Sequence, residues 1–149
     1  MMTGALQATG DLTVRYASDR SQFGRVLRRF QAIEHQLAVI TRECAVAEAA
    51  VEPALCTLLA GRELSLGEVA AAKVVCARAA DRVVQIAHQV HGAIGITREH
   101  SLSRLTRRLL AWSGDYGTAR AWATAFGREL AAEDPWRAIT TTGAKVPAG

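Results

Sequence analysis

Cysteine, proline and aromatic residues are all scarce in this 149-residue chain, and each scarcity excludes something. The three cysteines, Cys44, Cys56 and Cys76, are odd in number and lack metal-ligand spacing, so neither a disulfide framework nor a zinc site is expected. They fall in alanine-rich, helix-like runs and read as small buried apolar residues of a protein in the reducing cytoplasm. Only Pro53, Pro135 and Pro147 can interrupt a helix, and two of these lie near the C-terminal end. Aromatics make up 5% of the residues while alanine is abundant, which favours helices over strands. No apolar run has membrane length, and Met1 and Met2 open directly into helix-compatible sequence, so no targeting segment or membrane partner is expected.

Lysine is also nearly absent. Lys73 and Lys145 stand against 16 arginines, and the formal charge is +4. The basic residues are dispersed, with local clusters at Arg25/Arg28/Arg29 and Arg104/Arg107/Arg108. No nucleic-acid-reading motif accompanies them, so nucleic acid is not the expected partner. Solvated helix faces account for most of them. A sharper reading is that some arginines meet the phosphates of a dinucleotide or of CoA.

What is present is helical periodicity. Residues 2 to 19 read as a helix, weakened by Gly4 and Gly10. Residues 19 to 24 read as a turn. A long helix follows over residues 27 to 59, with Phe30, Ile33, Leu37, Ile40, Cys44 and Ala47 in register and Pro53 expected to kink or split it. Ser65 with Glu68 is a capping box. Val69, Ala72, Cys76, Ala79, Val83, Ile86 and Val90 then recur at alternating spacings of three and four, a coiled-coil-like seam that must pack on another helix. A further helix starts around Thr97 to Ser101 and carries the stripe Leu102, Leu105, Leu109, Trp112 until Gly114. The last spans residues 117 to 132, with Ala121, Trp122, Ala125 and Phe126 facing inward and Asp134-Pro135 as its stop. Nothing reads as a strand pair. The expectation is one all-α domain over residues 1–133, an antiparallel up-down four-helix bundle with an additional short C-terminal helix, followed by a disordered tail over 134–149.

A bundle names no function, and most single residues have bland readings. Gln89-Val90-His91-Gly92-Ala93-Ile94-Gly95 alone is a helix C-terminus running into a tight loop. His35, His88, His91 and His100 share no metal-ligand spacing and read as polar helix positions, and no nucleophile elbow is present. The order of three motifs is more specific. Arg20-Ser21-Gln22-Phe23-Gly24 comes first and Phe30-Gln31 follows. Lys73 then precedes Gln89 by sixteen residues, and the glutamine-glycine stretch leads on to Asp115-Tyr116-Gly117-Thr118. In that order and spacing, residues 2 to 130 resemble the C-terminal domain of acyl-CoA dehydrogenases.

The resemblance implies a domain that contacts FAD across a subunit interface and helps the enzyme oligomerise. Arg20 and Gln22 match positions at the cofactor's pyrophosphate. Phe23 matches a position near the cofactor, with core packing as its competing reading. Phe30 and Gln31 match the adenine end. Gln89, Gly92 and Ala93 match the loop that receives adenosine from the neighbouring subunit, with Ala93 where the family has a second glycine. Thr118 matches the threonine of the family's Tyr-Glu-Gly-Thr motif.

The reaction of the family removes a proton from the α-carbon of an acyl-CoA thioester and passes hydride from the β-carbon to flavin, which requires a carboxylate base. In many members that base lies 27 residues after the signature glutamine, a position held here by Tyr116. A phenol with a reference pKa of about 10 is a poor base at neutral pH. Asp115 is one residue out of register and a weak substitute. No catalytic residue is therefore assigned. The family's N-terminal helical and middle β-domains have no counterpart in this sequence, so the chain alone is expected to be inactive, and acyl-CoA to be bound only in a full assembly. The expected partners are copies of this chain or other acyl-CoA dehydrogenase subunits. Heteromeric members in which one subunit lacks the glutamate fit the Tyr116 departure, and Trp112, Trp122 and Asp134-Pro135-Trp136 resemble the C-termini of that branch. The alternative is a helical oligomerisation module without flavin, self-associating through the Val69 to Val90 seam.

Overall fold

A computed structural model describes residues 1–97 and 100–132. Five helices follow one another: α1 (Met2–Asp19), α2 (Gln31–Leu59), α3 (Leu66–His91), α4 (Ser101–Gly114) and α5 (Ala119–Ala132). The first four form an up-down-up-down bundle. Gly10 of α1 faces Ile40 and Cys44 of α2, and Cys76 of α3 lies beside the Ala47 carbonyl of α2. His88 and Lys73 of α3 meet Thr106 and Trp112 of α4, in reverse order along the chain.

α1 forms although its packed face carries Gly10 and two threonines, with Gly4 exposed near its start. Thr9 and Thr13 are fully buried, and each hydroxyl donates to the carbonyl four residues back, Thr9 to Ala5 and Thr13 to Thr9, both at 2.7 Å. Gly10 earns its place by proximity, since a Cβ there would meet Ile40 Cγ2 at 3.1 Å.

The turn after α1 holds a two-residue strand pair that the sequence does not announce. β1 (Ser21–Gln22) pairs antiparallel with β2 (Arg25–Val26), in register Ser21 with Val26 and Gln22 with Arg25. Phe23 and Gly24 both have positive φ, 53° and 77°, as a tight primed hairpin turn requires. A phenylalanine at the first of these positions hides the signal that asparagine or aspartate would give. A 3₁₀ turn (Leu27–Arg29) follows, so α2 starts four residues later than its periodicity suggests, at Gln31. Pro53 does not split α2. It is exposed, as is Ala49 one turn earlier, so the carbonyl that loses its partner at Pro53 faces water.

α3 is the centre and packs on all four other helices. Its capping box is present, with Glu68 N–H donating to Ser65 Oγ at 3.2 Å and Ser65 N–H to Glu68 Oε2 at 2.8 Å. The Thr57 hydroxyl at the end of α2 also donates to Glu68, at 2.5 Å, and is the main reason the Glu68 carboxyl lies below its ordinary pKa. From Cys76 to Val90 the heptad seam is buried, while Val69 and Ala72 are half-buried. Beside it runs a second buried row, Ala77, Ala80, Val84, Ala87 and His91, also at spacings of three and four. Four of its five members are alanine or histidine, too weakly hydrophobic to show as a stripe. The seam is thus consumed within the chain's own bundle rather than left for self-association.

α4 buries Leu102, Ser103, Thr106 and Leu109. α5 starts at Ala119, two residues later than expected, and buries nothing completely. Trp122 and Phe126 are half-buried, but Ala121 and Ala125 are exposed. Phe126 packs so closely on α3 that a Cβ at Gly67 would meet its Cε2 at 3.0 Å. Cys44 and Cys76 are buried as expected, whereas Cys56 is exposed. Burial, followed by the field of Asp11, Glu43 and Glu48, pushes the Cys44 thiol up to about 11, which leaves it unreactive at neutral pH. Among the described residues no helix is long and apolar enough to cross a membrane, and no group of His, Cys, Asp and Glu could hold a metal. The Asp134-Pro135 stop and the tail over 134–149 lie outside the described residues.

Candidate functional site

The helix directions decide which sequence motifs meet. α1 ends, α2 begins, α3 ends and α4 begins at one end of the bundle. That end therefore collects the Arg20 turn, Phe30 and Gln31, and the Gln89 to Gly95 stretch.

Arg20 terminates α1 in extended conformation, its N–H bonded to the Tyr16 carbonyl at 2.9 Å and its own carbonyl accepting from Leu27 N–H at 2.8 Å. The turn is therefore pinned by backbone, and the Arg20 side chain is exposed. Gln22 is exposed on β1. Phe23 sits at the hairpin tip and is 90% exposed, so it is not a core residue. Its ring meets Phe30 edge-on, centroids 6.4 Å apart. The Arg25 guanidinium lies 3.9 Å above the centroid of the Phe30 ring, a cation–π contact. Phe30 is the half-buried N-cap residue of α2, and Gln31 is exposed in its first turn.

Across the same end, Gln89 is exposed in the last turn of α3. Gly92 then leaves the helix with φ 63° and ψ −147°, a conformation open to glycine alone, and nothing stands within 4 Å of where a Cβ would be. A 3₁₀ turn (Gly92–Ile96) follows, with Ala93 exposed. Gly95 is buried for a different reason, since a Cβ would meet His91 Cβ at 2.9 Å and Leu102 Cδ2 at 3.0 Å. Among the described residues the side chains of Arg20, Gln22, Gln31 and Gln89 make no hydrogen bond. A guanidinium and three amides at the same end as an open glycine turn are donors of the kind that a dinucleotide takes.

What holds this end together does not show in the sequence. His91, read from sequence as a polar helix position, is only 3% exposed and stacks on Tyr16 with centroids 4.3 Å apart and 22° between planes. His100 packs edge-on against both rings. His91 Nδ1–H donates to the Ala87 carbonyl at 2.8 Å, which leaves Nε2 as a buried lone pair without a partner among the described residues. Thr106 gives its hydroxyl proton to the Leu102 carbonyl at 3.0 Å, so His88 Nε2, 3.0 Å away, is the donor to Thr106 Oγ1. The available signal is the position of His91 four residues after Ala87 and seven after Val84, which puts it on the second buried row.

Tyr116, Asp115 and Thr118 belong to the opposite end. Lys73 Nζ donates to the carbonyls of Trp112 at 2.8 Å and Asp115 at 2.5 Å, which fixes the end of α4 beside residue 73 of α3. Sixteen helical residues separate Lys73 from Gln89, about 24 Å of rise. Tyr116 has φ 57°, is 94% exposed, and its carbonyl accepts from Trp122 Nε1–H at 3.0 Å. The Asp115 side chain is exposed as well. Thr118 caps α5, its hydroxyl accepting from Ala121 N–H at 3.2 Å. Of the nine residues proposed at the cofactor, eight share one end and Thr118 does not join them.

The family profile "Acyl-CoA dehydrogenase, C-terminal domain" matches residues 1–120. The acyl-CoA dehydrogenase IpdE2 of Mycolicibacterium smegmatis is 36% identical over 105 residues, 70% of this chain and 32% of that protein. The 3-sulfinopropanoyl-CoA desulfinase of Paraburkholderia xenovorans is 34% identical over 122 residues, 81% of this chain and 31% of that protein. The structure of butyryl-CoA dehydrogenase from Megasphaera elsdenii superposes with a TM-score of 0.80 at 29% identity, over 87% of this chain and 33% of that one. The chain thus spans about a third of the length of the curated relatives it matches. By profile, sequence and fold together, the chain belongs to the acyl-CoA dehydrogenase family and corresponds to its C-terminal helical domain.

Proposed function

We propose that this chain acts as the C-terminal domain of an acyl-CoA dehydrogenase-like flavoprotein that desaturates acyl-CoA thioesters at the α,β bond. It would contribute half of an inter-subunit FAD site and part of the oligomer interface, without supplying the base. FAD, when bound, supplies the hydride acceptor. This chain's own part is to bind and orient it: Arg20 and Gln22 at the diphosphate, Phe23, Phe30 and Gln31 toward the adenine end, and Gln89, Gly92 and Ala93 around the adenosine. The observation that carries the reading is that the Arg20 turn and the Gly92 loop share one end of the bundle, with their polar side chains unengaged among the described residues. Thr118, at the other end, would serve a different place in the assembly. Exposed Leu55, Leu58 and Leu59 near the end of α2 are apolar surface that a larger oligomer would cover.

The absence of a base rests on Tyr116, which is exposed and bonded through its carbonyl only to Trp122 among the described residues. The desulfinase among the relatives is a reminder that the fold admits other reactions on CoA thioesters.

The test is flavin retention. The chain is mixed with a full-length acyl-CoA dehydrogenase subunit, the complex is isolated, and bound FAD is read from its absorption. Flavin retained in the complex and reduced by Arg20→Ala is the expected result. No flavin, with Arg20→Ala indistinguishable from wild type, would instead favour an oligomerisation module. Turnover of any acyl-CoA by the chain alone with an artificial electron acceptor would overturn the non-catalytic assignment.

A further inference from the structure

Three arginines beside the cofactor end are left unused by that reading. Arg25 stands on β2, and Arg28 and Arg29 stand on the 3₁₀ turn that leads into α2. All three are exposed, and with Glu34 they line one concavity of about 610 Å³. Among the described residues none of the three is in an ion pair, and none of their side-chain N–H groups is hydrogen-bonded. Arg25 is held in place by its contact with the Phe30 ring. α2 begins at the edge of the concavity, and no side chain caps its N-terminus, so its dipole adds field of the same sign.

Three guanidiniums against one carboxylate leave two uncompensated positive charges in one hollow. A single carboxylate ligand would neutralise half of that. A phosphate monoester carries about −1.5 to −2 at neutral pH and offers three strong acceptor oxygens. Planar guanidinium forks match such oxygens through paired N–H donors. We propose that Arg25, Arg28 and Arg29 form an anion site for a phosphate or diphosphate group, separate from Arg20.

The probe is inorganic pyrophosphate, titrated calorimetrically into the 149-residue chain at low ionic strength. The double variant Arg28→Gln/Arg29→Gln should bind at least about tenfold more weakly, because charge-assisted hydrogen bonds are lost. Its helix content by circular dichroism should be unchanged, since both side chains are exposed. Arg28→Lys/Arg29→Lys should also bind more weakly, because an ammonium is a point charge without the fork. Arg20→Ala should bind as wild type does. The proposal is overturned if the glutamine double variant binds normally, or if the lysine double variant keeps full affinity, which would mean diffuse attraction only. Loss of pyrophosphate binding in Arg20→Ala would overturn it too, while leaving the cofactor reading intact. A single-stranded oligonucleotide binding more tightly than pyrophosphate, with the steep salt dependence of several phosphate contacts, would replace it with a nucleic-acid surface.

Discussion

The Tyr16 ring lies stacked on the His91 ring, 4.3 Å between centroids, and so fastens the last turn of α1 to the last turn of α3. This contact holds the Arg20 turn and the Gly92 loop at the same end of the bundle. The Tyr16 hydroxyl reaches the His91 carbonyl only at 3.4 Å, too long to add much. Tyr16→Phe should therefore cost less than about 0.5 kcal/mol in urea unfolding, within the range of a weak hydrogen bond. Tyr16→Ala should cost about 2–4 kcal/mol, through lost burial and lost stacking. Equal effects from the two would show that the hydroxyl, not the ring, holds the junction.

Stability should depend on pH through His91. Burial is the main cause that holds its pKa below the ordinary histidine value, against the Ala87 hydrogen bond, while His100 and His88 add in the same direction as burial. The unfolded chain then binds the proton more readily than the folded one, so stability rises with pH across the interval between the two pKa values. The contribution is complete above about pH 6.5, the unfolded value, and is lost as pH falls through the lower folded value. A second proton would have to sit on Nε2, where no acceptor faces it among the described residues. Thermal unfolding followed from pH 7.5 to 5 should show this fall, and His91→Phe should flatten it. A slope unchanged in His91→Phe would assign the effect to other groups.

The two glycines of the loop should fail for different reasons. Gly92→Ala meets no atom within 4 Å but forces an alanine into a backbone region reserved for glycine, at a cost of about 1–3 kcal/mol. Gly95→Ala places a methyl 2.9 Å from His91 Cβ and 3.0 Å from Leu102 Cδ2, an overpacking cost of about 1–3 kcal/mol. A second substitution, Leu102→Ala, should couple with Gly95→Ala and not with Gly92→Ala in a double-mutant cycle. Additivity in both pairs would contradict the packing account.

Lys73 should matter as a cap rather than as a charge on a surface. Its ammonium satisfies two carbonyls at the end of α4, where the helix dipole is negative. Lys73→Met keeps the apolar stem and removes the donors, and should cost about 1–2 kcal/mol, the scale of charge-assisted hydrogen bonds. Amide exchange should rise in α4 and α5 before it rises in α1. Uniform exchange across the chain would argue against a local cap.

Much of this molecule is legible in its sequence because helices report themselves through local spacing. The stripes of α1, α2 and α4, the Ser65–Glu68 cap and the Cys76 to Val90 seam each depend on residues three or four apart. The hairpin at Phe23 was hidden because a bulky residue takes the positive φ that glycine or asparagine would have signalled. The second buried row of α3 was hidden because alanine scarcely marks a stripe. In α5 only Trp122 and Phe126 turn inward, because Ala121 and Ala125 are their immediate neighbours and point about 100° away, into water.

The sequence by itself determined five helical segments, the Ser65–Glu68 cap and the order of the family motifs, since all of these are properties of neighbours along the chain. Only the tertiary structure decided which motifs meet. Helices alternate in direction, so contacts between ends depend on packing and not on sequence separation. Tyr16 thereby finds His91 seventy-five residues away and keeps the Arg20 turn and the Gly92 loop at one end, while Lys73, bonded to the Asp115 carbonyl, keeps the Tyr116 turn at the other.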